Sequence, residues 1–192
     1  EFRRVLFRSE IGVRAPIYIT AGWSALDARR RPDWRARTAD GEVSTVCGCK
    51  TDAPADEPKP EDSWINLCLN DGSYTEHIYE LTREICDRYE RIDGVFFDIC
   101  FFIEACYCDE CQRGMRAMGL DPARESDAKR YFVVMHNRFM EKCREIVAEK
   151  HPDASVFFNG GAEIQKPQYH ANQTHFELED LPTAWEIGRA HV

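Results

Sequence analysis

Asp98 closes an apolar run, GVFFDI (residues 94–99), and four cysteines, Cys100, Cys106, Cys108 and Cys111, follow it within thirteen positions. A lone carboxylate at the end of such a run is suited to attack an electrophile or to activate water. Cys106, Cys108 and Cys111 form C-x-C-x-x-C, compact enough for three thiolates to share one tetrahedral zinc. Cys100, or Cys47 or Cys49 from further upstream, would supply the fourth ligand. The other reading is a reduced cluster without metal. A closed all-thiolate site leaves no position for water, so a zinc held there is structural. It would pin a loop beside Asp98.

The elements that must position these groups are strand-like apolar runs alternating with helix-like segments, the α/β signature. The runs are 15–21 (APIYITA), 65–69 (INLCL), 94–99 and 155–158 (SVFF), with 174–178 (THFEL) a weaker fifth. Their near-continuous hydrophobicity predicts parallel strands covered on both faces. The segment from Ser73 to Tyr89 opens with Ser-x-x-Glu (Ser73, Glu76), a capping box, and sets Ile78, Leu81, Ile85 and Tyr89 along one face. That predicts a helix crossing back between the second and third runs. A further helix is predicted from about Ser126 to Lys150, burying Phe132, Met135, Phe139, Cys143, Ile146 and Val147 and stopped by Pro152. The Pro-, Asp- and Glu-rich stretch 29–62 reads as a functional surface loop. This order fits a partial (β/α)8 barrel truncated at both ends, and also a doubly wound sheet. No Gly-rich phosphate loop follows any strand, which disfavours nucleotide binding.

In a barrel, chemistry sits where the carboxyl ends of the strands converge. Polar residues do fall there: Thr20 and Trp23 after the first run, Asn70 after the second, Asp98 at the third, Asn159 after the fourth, Glu177 and Glu179 at the fifth. Each also has a plainer reading, as a cap of the following turn. Two carboxylates at one mouth are what glycoside hydrolysis needs, one to attack or activate water and one to protonate the leaving oxygen. Trp23, Trp34, Tyr74 and Trp185 offer apolar platforms for a sugar face or ordinary packing, and His175 is placed to contact a sugar hydroxyl. A metal-dependent hydrolase would need His and Asp ligands at several strand ends, and only His175 lies near one.

The segments IYITAGWSALDARRRPDW, IDGVFFDICF, CYCDECQRGMRAMGLDP, HPDASVFFNGG and THFELEDLPTAW together resemble the glycosyl hydrolases related to α-L-fucosidases. Members of that family often carry a β-galactosidase-type trimerisation domain downstream. The resemblance runs from Gly12 to Trp185 and implies a retaining hydrolase whose nucleophile is Asp98. Ile99 and Cys100 stand where fucosidases often have glycine. Glu177 is the implied acid/base, with Glu179 in reserve, because period-two alternation puts both on one strand face. The resemblance also implies double displacement without an organic cofactor, and it strengthens zinc, since a similar CYC-x-x-C loop binds structural zinc in many trimeric-barrel β-galactosidases. A β-galactosidase-like hydrolase and a catalytically silent carbohydrate-binding barrel are the alternatives.

Both ends read differently from the middle. Residues 1–9 (EFRRVLFRS) and 186–192 (EIGRAHV) resemble a sequencing-library adapter translated in frame, which leaves 10–185 as the part of a glycoside-hydrolase barrel. Setting aside Arg3, Arg4, Arg8, Arg189, Glu1 and Glu186 changes 25 basic and 34 acidic residues to 21 and 32, a net charge of −11. Such an acidic chain suits a soluble globular domain and disfavours nucleic acid or an anionic membrane as partner, and it has no bilayer-length apolar run; the partner that the resemblance implies is a glycoside substrate. The nine cysteines, an odd number, fit reduced thiols and a cytoplasmic setting better than a disulfide framework. A homo-oligomeric parent protein is expected. Five strands of eight cannot close a barrel, so the isolated chain is expected to be inactive and poorly soluble; a sharp cooperative melt would contradict this.

Overall fold

The computed structural model describes residues 12–45, 65–70, 72–100, 103–159 and 167–176. Three parallel strands, β1 (Ile17–Thr20), β2 (Gly94–Asp98) and β3 (Ser155–Phe158), lie side by side in that order. Their register pairs Thr20 with Asp98 and Phe97 with Phe158. Between β1 and β2 come α1 (Ala25–Arg30), a 3-10 turn (Pro32–Trp34) and α2 (Ser73–Arg88). Between β2 and β3 come α3 (Asp109–Ala117) and α4 (Glu125–Lys150), and a short α5 (Pro167–His170) follows β3. Parallel strands need such crossovers because the end of one strand and the start of the next lie at opposite ends of the sheet.

Side chains alternate across each strand, and the sheet separates them by chemistry. Ile19, Val95, Phe97, Val156 and Phe158 point to one face and are buried with Ile78 of α2 and Phe139, Met140, Cys143 and Val147 of α4. Phe97 anchors this core, stacked on Phe158 at 5.0 Å and edge-on to Phe139 at 6.2 Å. Tyr18, Phe96 and Phe157 point the other way and form a ladder, with centroids 5.7 Å and 4.8 Å apart. Among the described residues that second face is partly open: Tyr18 is 55% exposed.

The run 65–69 is not a strand of this sheet. Ile65, Asn66 and Leu67 make isolated antiparallel bridges with Thr45, Trp23 and Arg35. The run is apolar because it is buried, not because it joins the ladder: Leu67 N donates to Gly22 O at 2.9 Å and Cys68 N to Trp34 O at 2.9 Å. Consequently α2 crosses between the first and second strands of the sheet. Residues 29–45, expected as loop, supply the end of α1, the 3-10 turn and the Arg35 and Thr45 partners of two of these bridges. The run 174–176 is likewise outside any strand, and 177–178 lie beyond the described residues.

Nor does the capping box form. The Ser73 hydroxyl accepts from Trp34 Nε1 at 2.6 Å, and Glu76 instead pairs with Arg83 at 2.8 Å. The buried stripe of α2 is turned from the expected one, to Tyr74, Thr75, Ile78, Thr82 and Cys86. Thr82 tolerates burial because its hydroxyl bonds to Ile78 O at 2.8 Å. Leu81, Ile85 and Tyr89 face a groove of about 540 Å³ between α2 and the edge strand β1. The expected stripe of α4 is buried throughout. Its first half packs Ala128, Tyr131 and Met135 on a second core containing Cys68, Cys106 and Cys111, and its second half covers the sheet.

Phe97→Ala should lower the stability of the folded unit by about 3 to 5 kcal/mol, read as a lower urea midpoint with little change in slope.

Candidate functional site

Alternation along β2 sends Phe97 into the core and Asp98 to the opposite face, where its side chain is half-buried. Two donors hold the carboxylate. The backbone N–H of Ile99 donates to Oδ1 at 2.9 Å, and the hydroxyl of Tyr18 donates to Oδ2. Burial, then the hydrogen bond to Asp98, push the Tyr18 phenol above its ordinary value, so it stays a donor at neutral pH.

Turning the Ile99 amide onto the preceding side chain places Ile99 at φ 59°, in the left-handed region. For a β-branched residue this costs on the order of 1–3 kcal/mol. The turn is braced from β1: Ala21 N donates to Asp98 O at 2.8 Å, and Tyr74 Oη donates to Ala21 O at 2.6 Å. Gly22 lets the two segments meet, since a Cβ there would lie 1.9 Å from Ile99 O. Cys100 closes the turn beneath, its thiol 3.4 Å from Phe97 O, and burial pushes that thiol well up and keeps it neutral.

The remaining expected site residues divide into two groups. Asn159 follows β3, its N–H donating to Phe97 O at 2.9 Å, one step beyond the Phe97–Phe158 pair and therefore beside Asp98. His175 bonds to Thr174 Oγ1 at 2.9 Å and lies edge-on to Phe157 at 6.4 Å, which continues the aromatic ladder. Trp23 donates to Asn66 Oδ1 at 2.9 Å and lines the groove with Tyr18 and Thr20. Asn70 does not join them. It is 1% exposed and its amide donates to Cys111 Sγ at 3.4 Å, so it belongs to the thiols. Trp34 and Tyr74 are also buried, as packing rather than platforms. Glu177, Glu179 and Trp185 lie outside the described residues.

The thiol set is Cys68, Cys106, Cys108 and Cys111, with all four sulfurs within 4.8 Å of one another. Cys100 is not a member, because its thiol faces the β2 turn. Cys68 takes that place, brought from the bridged segment 65–67 to 3.4 Å from Cys111 Sγ and 3.9 Å from Cys108 Sγ. Cys47 and Cys49 lie outside the described residues. Four sulfurs about 2.3 Å from a zinc stand about 3.8 Å apart, so the spacing fits the ion. Arg37 N–H donates to Cys106 Sγ at 3.4 Å and Asn70 to Cys111 Sγ, the kind of donors that temper thiolate charge around a metal. Hydrogen bonds, first from Cys106, drive Cys108 far down into the thiolate form and hold the protons on Cys68 and Cys111. Only a cation would let all four ionise together.

The parallel sheet, with helices on one face and a carboxylate at the carboxyl end of its middle strand on the other, is similar to domains of glycosyl hydrolases. The family described as Hypothetical glycosyl hydrolase 6 matches residues 8–99. Among solved structures, α-L-fucosidase isoenzyme 2 from Paenibacillus thiaminolyticus superposes with a TM-score of 0.76 at 29% identity, over 91% of this chain and 25% of that one. A β-galactosidase from Rahnella sp. R3 gives 0.68 at 14% identity, over 97% of this chain and 32% of that one. A β-galactosidase from the haloarchaeon Halorubrum lacusprofundi gives 0.67 at 15%, over 91% and 31%. The β-galactosidases share the fold; the fucosidase shares sequence as well. The chain spans a quarter to a third of the length of these relatives. No curated protein matches it. Among the described residues no helix is long and apolar enough to cross a membrane.

Gly22→Ala should cost about 1–3 kcal/mol by overpacking the Ile99 turn. Ile99→Gly, which removes the left-handed strain, should change stability by less than about 1 kcal/mol, against about 2–5 for an ordinary buried aliphatic truncation. Chemical denaturation of both variants checks this.

Proposed function

We propose that this chain is part of the catalytic (β/α)8 barrel of a retaining glycoside hydrolase of the α-L-fucosidase type. The observation that carries this is the Asp98 carboxylate, presented at the carboxyl end of the middle strand, away from the helices, with both oxygens held by donors. Support comes from the fucosidase likeness at 29% identity and from the β1 edge of the described sheet, where Leu81, Ile85 and Tyr89 line a groove that suits a neighbouring βα unit.

In this reading Asp98 attacks the anomeric carbon while Glu177, with Glu179 in reserve, protonates the departing glycosidic oxygen. Water then cleaves the glycosyl ester, the same glutamate taking its proton, and the configuration is retained. Asn159, His175 and Trp23 are the candidate sugar contacts, with Tyr18, Phe96 and Phe157 forming the floor. A zinc on Cys68, Cys106, Cys108 and Cys111 would serve structure, fastening the segment before α2 to the start of α3.

Nitrophenyl α-L-fucoside should be hydrolysed by the full-length protein that carries this chain, and Asp98→Asn should abolish turnover. Galactoside turnover indifferent to that change would move the nucleophile to another strand, and turnover of neither sugar would favour a binding role. Elemental analysis should find one zinc per chain, and its removal by a chelator should lower the melting temperature. Cys68→Ser should lose the metal, whereas Cys100→Ser should keep it.

A further inference from the structure

Tyr18 sits two positions before Thr20, the residue paired with Asp98 across β1 and β2, so the phenol reaches the carboxylate diagonally across the sheet. Its ring is 55% exposed, and the edge-on contact with Phe96 at 5.7 Å is one that phenylalanine would make equally well. What the hydroxyl adds is one hydrogen bond, to Oδ2 of Asp98.

We propose that Tyr18 is a positioning residue for the Asp98 nucleophile, fixing the carboxylate plane together with the Ile99 amide. The inference rests on the reading of Asp98 as nucleophile. With a donor on each oxygen the carboxylate cannot rotate, yet each oxygen keeps a lone pair for attack. As an Asp98 oxygen bonds to the anomeric carbon, the bond to the aglycone oxygen breaks, and its electron pair leaves on that oxygen, which takes the proton of the acid. The other Asp98 oxygen becomes the ester carbonyl. When water displaces the sugar, the electron pair of the ester bond returns to the carboxylate, and the Tyr18 hydroxyl is in place to receive the charge.

The test uses Tyr18→Phe in the full-length protein, with nitrophenyl α-L-fucoside as substrate and 2-deoxy-2-fluoro-α-L-fucosyl fluoride as covalent label. The expected result is a fall in kcat of about 10- to 100-fold, the scale of one hydrogen bond to a charged group, with KM little changed. The melting temperature should hold. Val147→Ala is the control: it truncates a buried core residue of α4, so it should lower the melting temperature and leave kcat and KM in place. A Tyr18→Phe enzyme with native kcat, beside an inactive Asp98→Asn, overturns the positioning role and leaves the nucleophile standing. An active Asp98→Asn enzyme, a label on another residue, or neither turnover nor labelling at Asp98 overturns both.

Discussion

The packing of Phe97 between Phe139 and Phe158 is the interaction on which the candidate site depends. A parallel strand has one period and two faces, so fixing Phe97 in the helix-covered core fixes its neighbour Asp98 on the other side. A shift by one residue would bury the carboxylate under α4 and expose the phenylalanine, at a cost that grows with every apolar side chain turned outward. Flanked by β1 and β3, β2 has no edge along which to slip.

The rest of the site is bracing. Ala21 and Gly22, just past β1, hold the Ile99 turn through one hydrogen bond and one close approach, and Tyr74 of α2 holds Ala21 in turn. The carboxylate is thus supported by two strands and a helix that meet only in the folded sheet. This arrangement offsets the left-handed backbone at Ile99, a conformation that a free strand end would relax.

Much of this was legible in the residues. The runs at 17–20, 94–98 and 155–158 and the stripe of α4 declare themselves through apolar patterning, and Asp98 stands out as the one charge in its run. What escaped depends on register or on competition between partners. The run 65–69 is apolar enough for a sheet, yet its backbone pairs with the segments after β1. Cys68 was hidden inside that run, with no sequence spacing to tie it to C-x-C-x-x-C. Tyr18 did not stand out within the run 15–21, because its hydroxyl finds a partner only once β1 and β2 are aligned. Ser73 and Glu76 fit a capping box, but Trp34 and Arg83 compete for them.

The four sulfurs also bracket the strand that carries the carboxylate. Cys68 lies before α2, and Cys106 lies after β2, so the stretch that joins them contains the strand that carries Asp98. Their convergence closes a chain loop around that strand, and a closed loop has fewer ways to be unfolded. The cluster therefore fastens the chain on both sides of that strand, joining the segment before α2 to the segment after β2.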